Sequence, residues 1–169
     1  MKNQLIQAMA SIIVADAMEK PMKFHVNTNR EETGGSPVLK NLRALFANTS
    51  KHELVEHPWC NHDEFVEIIS IMDISMQVSF SETFNIVTAD AVANYVPVVV
   101  SQEIGWLEPT VKCVTNNSHA IATRMLECEM WVRREGNKMV KENLKSLKGY
   151  NDRTVDVWHD FIVKIISSK

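Results

Sequence analysis

The stretch Asp73–Gly105, DISMQVSFSETFNIVTADAVANYVPVVVSQEIG, limits the folds open to this chain more tightly than any other. It divides into strand, loop, helix and strand. Ile74–Val78 is a short alternating run with β-branched Ile74 and Val78, which fits a strand. Ser79–Thr83 is polar and rich in residues that cap helix N-termini. Phe84–Ala93 carries Ile86, Val87, Ala89, Ala91, Val92 and Ala93. Such a sequence is too continuously apolar for a solvated helix, so tight packing is expected. Val96–Val100 is apolar throughout and reads as a strand covered on both faces. Pro97 has no N–H to donate and is expected at the start of that strand.

The loop carries the chemistry. In open α/β folds ligands bind beyond the carboxyl ends of strands, beside helix N-termini. The N–H groups near Phe84, Asn85 and Ile86 are expected to face the mouth of the sheet, with the positive end of the helix dipole behind them. A diphosphate suits such a place. Glu82 lies just before the helix, and Asp90 lies roughly 9 Å farther along it at about 1.5 Å per residue. One carboxylate would stand at the lip and the other about two turns deeper. Both can accept hydrogen bonds from sugar hydroxyls.

Ser79, Glu82, Phe84, Asn85, Asp90, Pro97, Val98 and Val99 together resemble the signature of retaining glycosyltransferases of the GT-B fold, most closely family 4. That signature is a serine, two acids separated by seven residues, Phe-Gly after the first acid and Pro-Val-Val after the helix. Asp73, Ser101, Gly105 and Glu108 match the flanking positions, and weaker matching extends over most of the chain. The resemblance implies an α/β, Rossmann-like three-layer domain with a mostly parallel sheet, the C-terminal half of a GT-B fold. Residues 1–169 would form one donor-binding domain. The implied activity is transfer of a hexose from a nucleotide sugar to an acceptor with retention of configuration. Glu82 and Lys2 resemble the catalytic pair: the acid holds donor-sugar hydroxyls and the lysine meets the diphosphate. Asp90 resembles the acid that holds the ribose. Thr83, Phe84, Asn85 and Ile86 would bind diphosphate through backbone N–H groups, and Trp59 and Cys60 stand where the base is received. Many members need no metal, and no DxD occurs here; no metal and no cofactor are expected.

The chain departs from the pattern in three ways. Asn85 stands where the family carries glycine. Asp90 replaces a glutamate and is one methylene shorter. The family's domain also begins with a mid-sheet strand that ends in an arginine, followed by the lysine that opens the first helix. Lys2-Asn3 matches the lysine and its neighbour, but the strand and the arginine have no counterpart. Either the sheet closes up without that strand, or another chain supplies one, or the chain is a piece of a longer protein. The acceptor-binding N-terminal domain has no counterpart either, so that domain or a partner chain is an expected partner.

Composition sets broad bounds. The 169 residues suffice for one domain with a full core, and 45% hydrophobic with 23% charged residues is ordinary for a soluble globular chain. A net charge of −3 implies no general attraction to nucleic acid or anionic membrane. No apolar run approaches the ~20 residues that span a bilayer. Gln4, Gln7, Ser11 and Asp16 interrupt the N-terminal apolar stretch, so an amphipathic helix explains it better than a signal peptide. Cys60, Cys113 and Cys128 are odd in number and lack CxxC spacing, which points to reduced thiols and a cytoplasmic setting.

Elsewhere the pattern alternates helix and strand. A helix from Lys2 to about Met18 ends at Pro21, and Met22–Asn27 is a strand. Thr28–Ser36, with Gly34-Gly35, is a loop, and Pro37 opens a helix. His52–Glu56 is a strand. Asn61 caps a helix over His62–Met72, with Glu64 completing a capping box and Phe65, Ile68, Ile69 and Met72 facing the core. Val111–Val114 is the last strand. Helices follow over Ser118–Arg134, Asn137–Lys148 and Asn151–Ile166. This order implies a parallel sheet with right-handed crossovers.

Each candidate also has a plain structural reading. Lys2 reads equally as a solvated terminal lysine, Glu82 as a first-turn surface acid and Phe84 as a core residue. Trp59 could cap the core. Arg30 follows a strand end and could stand in for the absent arginine. His25, His57 and His62 are scattered without a partner at metal-ligand spacing. A second functional reading is a non-catalytic module that pairs with another subunit, as a homodimer or as half of a split transferase. A dinucleotide-dependent oxidoreductase is disfavoured, because no GxGxxG follows any strand.

Overall fold

The computed structural model describes residues 2–28 and 36–167. The elements run α1 (Gln4–Ala17), β1 (Met22–Asn27), α2 (Ser36–Ala47), β2 (His52–His57), α3 (His62–Ser70), β3 (Ser75–Gln77), α4 (Ile86–Ala93), β4 (Val98–Ser101), a 3₁₀ turn (Pro109–Val111), β5 (Lys112–Cys113), α5 (Ser118–Glu135) and α6 (Lys138–Ser167). The fold is mixed α/β, every strand pair is parallel, and the layout is compatible with a Rossmann-like arrangement. The Gly34-Gly35 loop and Arg30 lie outside the described residues. Among the described residues no helix is long and apolar enough to cross a membrane.

Local chemistry explains the element ends. Asn61 Oδ1 accepts the Glu64 N–H at 3.0 Å while Glu64 Oε2 accepts the Asn61 N–H at 2.9 Å, a reciprocal box that opens α3. Asn117 Oδ1 accepts from the N–H groups of His119 and Ala120 to open α5. Pro97 directly precedes β4, where its lack of an N–H is tolerated, and its carbonyl accepts the Ser75 N–H at 2.8 Å.

Two elements differ from the sequence reading. The expected pair of C-terminal helices is one helix, α6, running through Gly149. A single interior glycine costs only about 1 kcal/mol against alanine. Met139, Val140 and Asn143 anchor the first turns of α6 in the body. Helix α4 begins at Ile86 rather than Phe84, because Asn85 takes a left-handed conformation with φ 59°.

The sheet itself is split. Strands β1 and β2 form one sheet and β3, β4 and β5 another, in the order β3-β4-β5. Each sheet has its own apolar cluster. The larger one surrounds β4, whose four residues are all buried, and takes in Val78, Ile104, Ile121 and Cys128. The smaller holds Phe24 and Val26 of β1 with Leu42 and Phe46 of α2. Helix α1 straddles both: Ala8 belongs to the smaller cluster, Ala10 and Val14 to the larger. Helix α1 packs on α2 and α5, whereas α3 packs on α4, and α4 on α6.

Candidate functional site

A polar corner forms where α1 starts, β3 ends and α4 begins. The Asn3 side-chain amide donates to the Thr115 carbonyl and ties the start of α1 to the loop after β5. Lys2 is thereby held beside β3. Its ammonium donates to Glu82 Oε1 and lies 3.4 Å from Gln77 Oε1, at the carboxyl end of β3. Asn85 Nδ2 donates to the same Gln77 oxygen at 3.2 Å. The Glu82 side chain is only 12% exposed, whereas that of Lys2 is 52% exposed. Burial pushes the Glu82 carboxyl up, but it is outweighed by the Lys2 hydrogen bond and charge together with the dipoles of Ser79 and Asn85. The carboxyl is therefore held below its ordinary value of 4.5. Ser79 Oγ is buried and makes no hydrogen bond of ordinary geometry among the described residues.

The start of α4 is shaped by Asn85. At φ 59° most L-residues are strained, and asparagine tolerates this region best after glycine. Asn85 Oδ1 accepts the Thr88 N–H at 2.9 Å, and its carbonyl accepts the Ala89 N–H at 3.2 Å. The amides of Ile86 and Val87 are the ones that neither helix nor cap uses. Phe84 lies before the helix. Its ring packs between Trp106 and Tyr150, with centroids 5.7 and 5.4 Å away, and its carbonyl accepts the Trp106 Nε1–H at 2.6 Å. Phe84 is a packing residue, and Thr83 is the loop residue that leads into it.

Asp90 lies in the middle of α4, with its side chain mostly buried. Its Oδ1 is 3.3 Å from Nε2 of His62, the first residue of α3. Glu82 and Asp90 therefore have separate partners, Lys2 just ahead of α1 and His62 on α3. Trp59 is 68% exposed and does not cap the core. Cys60 is half-buried and lines a cavity of about 370 Å³ between β1 and β3. Lys2 and Gln77 also line that cavity, while Glu82 and Asp90 do not.

Five participants escape sequence reasoning. Gln77 and Asn3 join the corner only because the ends of β3 and α1 meet. His62 reaches Asp90 across the α3–α4 packing. His25 and His57, scattered in sequence, stack with ring centroids 5.1 Å apart and an Nδ1–Nε2 distance of 2.8 Å. The parallel register sets His25 opposite Val55 and His57 opposite Asn27, so the two rings are diagonal neighbours two residues apart on adjacent strands. Burial, the neighbouring His57 and Lys23 lower the His25 pKa below 6.5, despite Glu53. Among the described residues no three His, Cys, Asp or Glu side chains gather closely enough to hold a metal ion.

No protein-family model matches the chain, and no curated protein matches it in sequence.

Proposed function

We propose that the chain is a nucleotide-sugar-binding domain of a retaining glycosyltransferase, the C-terminal half of a GT-B enzyme. The observation that carries this reading is the Lys2–Glu82 pair beside the start of α4: residues 80 positions apart, which the resemblance assigns to one reaction, touch each other. In this reading the Lys2 ammonium and the free amides of Ile86 and Val87 meet the diphosphate. Glu82 accepts hydrogen bonds from donor-sugar hydroxyls, and Asp90 does so from the ribose. Trp59, being exposed, is available to stack on the base, with Cys60 beside it. The anomeric carbon–oxygen bond breaks, its electron pair leaves with the diphosphate, and the acceptor oxygen bonds to the anomeric carbon on the same face. The chain's part is positioning and charge stabilisation, without a protein nucleophile.

Calorimetric titration with a panel of nucleoside diphosphates and nucleotide sugars tests this. We expect one of them to bind at one site. Lys2→Ala should weaken the diphosphate itself, and Asp90→Ala should weaken binding by about tenfold, the scale of one lost charge-assisted hydrogen bond. Affinity that survives both substitutions unchanged would refute the assignment.

A second reading, a subunit that pairs with another polypeptide, is favoured by the end of α6. There Trp158, Phe161, Ile162 and Ile166 are all more than half exposed. Light scattering across a concentration series separates the two: a stable monomer that binds a nucleotide sugar supports the first, and a tight dimer without nucleotide affinity supports the second.

A further inference from the structure

Helix α6 leaves the body of the protein partway along its length. Met139, Val140 and Asn143 are buried, and Leu144, Leu147 and Tyr150 still pack against the larger cluster. Beyond them only Thr154 is partly covered, and every residue from Val155 to Ile166 is exposed. That segment reaches about 18 Å at about 1.5 Å per residue. A helix with water on every side ought to carry polar residues all round. Here Trp158, Phe161, Ile162 and Ile165 stand at the i, i+3, i+4, i+7 positions of one face, and Val155 and Ile166 extend the row at its two ends. Asp156, Asp160 and Lys164 recur every four residues on the opposite face.

The stripe is large and partly pre-formed. The Trp158 and Phe161 rings already meet edge to face, with centroids 5.7 Å apart and planes at 85°. Paired aromatic anchors of this kind are the usual energetic centre of an interface. Six such side chains at about half exposure present roughly 600 Å² per copy, already at the top of the ~300–600 Å² of the largest patch on a typical monomer. Two stripes face to face cover about 1,200 Å², above the roughly 1,000 Å² of a specific interface. An anionic lipid surface fits less well, because the polar face sets two acids against one lysine.

We propose that a second copy of this chain covers the stripe, the ends of two α6 helices packing antiparallel about a two-fold axis between Phe161 and Ile162. Trp158 of one copy then lies over Ile165 of the other, and the contact is the same from both sides. The direction follows from bulk. Packed helices lie about 8–10 Å apart, whereas a body of this length has a radius of gyration of about 15 Å. Parallel helices would drive the two bodies into each other, and antiparallel ones place them at opposite ends. The inference rests on the pairing reading above and makes no use of the nucleotide-sugar site.

Light scattering and sedimentation of the full chain across a micromolar to millimolar series test it. A reversible dimer is expected. Ile162→Glu places a charge in the dry centre and should raise the dissociation constant about 100-fold or more, while Ile162→Leu keeps the dimer. Hydrogen exchange at Val99 of β4 should be equally slow in all three chains, which shows that the body is intact. Cysteine cross-linking, in a Cys60→Ser background that removes the half-buried native thiol, reads the direction. Ile162→Cys should form a disulfide between copies, since the two positions meet at the axis. Val155→Cys should not, because its two copies are about 20 Å apart along the axis, beyond the ~7 Å that a disulfide spans between Cα atoms. A chain that stays monomeric throughout the series, or that leaves solution only for anionic vesicles, overturns the proposal. A dimer that persists in Ile162→Glu overturns it too and leaves the broader pairing reading standing. Equal cross-linking at both positions overturns the antiparallel arrangement and the proposal with it.

Discussion

The two sheets are built to different standards. Strand β4 buries all four of its residues, and the cluster around it draws on α1, α4, α5 and α6. Strand β1 buries only Phe24 and Val26, and β2 buries only His52. A strand covered on both faces carries an unbroken apolar run, and one covered on a single face alternates. The smaller sheet therefore depends on α1, whose Ala8 packs on one cluster while Ala10 and Val14 pack on the other. A domain stapled in this way has a strong half and a weak half.

Core truncation should break the comparison most forcefully. Ile121→Ala, in the larger cluster, is expected to lower the stability of the whole chain by about 2–5 kcal/mol in urea titration. Leu42→Ala, equally buried, falls in the same range by chemistry, but hydrogen exchange should show β1, β2 and α2 loosening first. If both substitutions loosen both sheets together, the two halves are a single cooperative unit.

The start of α4 is the next test, on the strong side. Asn85→Ala loses a cap and forces an ordinary β-carbon into the left-handed region, for about 1–2 kcal/mol. Asn85→Gly should change stability by only a few tenths of a kcal/mol, since glycine relieves the backbone as it loses the cap. Equal losses from both would show that the side chain, not the backbone angle, fixed the residue there.

Acid should find the weak sheet first. The folded-state pKa of His25 lies below 6.5, so the unfolded chain binds more protons as the pH falls from that value toward the folded one. The stability of β1–β2 should decline across that window, and His25→Gln should flatten the decline. Glu82 works in the opposite sense, since its folded pKa is lowered. Its contribution is complete above about 4.5 and is lost only as the pH falls through the lower folded value. Stability measured against pH in both single variants separates the two windows.

Thiol reactivity gives the mildest probe and leaves stability untouched. Burial pushes the thiol of Cys113 up to about 11 and that of Cys128 up to about 12, despite the nearby Arg124. Iodoacetamide at pH 8 should label half-buried Cys60 in the native protein and reach the other two only on unfolding. Early labelling of Cys113 would mean that the larger sheet opens as easily as the smaller.

Much of this was legible in the amino-acid sequence. The bounds of β1, the Asn61 box that opens α3 and the position of Pro97 before β4 all follow from residues within a turn or two of one another. The resemblance that drew Lys2 and Glu82 into one reaction also lay in the sequence, but their contact required α1 and β3 to end at the same corner. The left-handed angle of Asn85, the continuity of α6 through Gly149, the stacking of His25 on His57 and the division of the sheet belong to tertiary structure. Capping and periodicity act between near neighbours, so the sequence determines them locally. Whether a strand edge finds a partner depends on chain far away, and only the folded arrangement decided that β1 and β3 face each other across a gap.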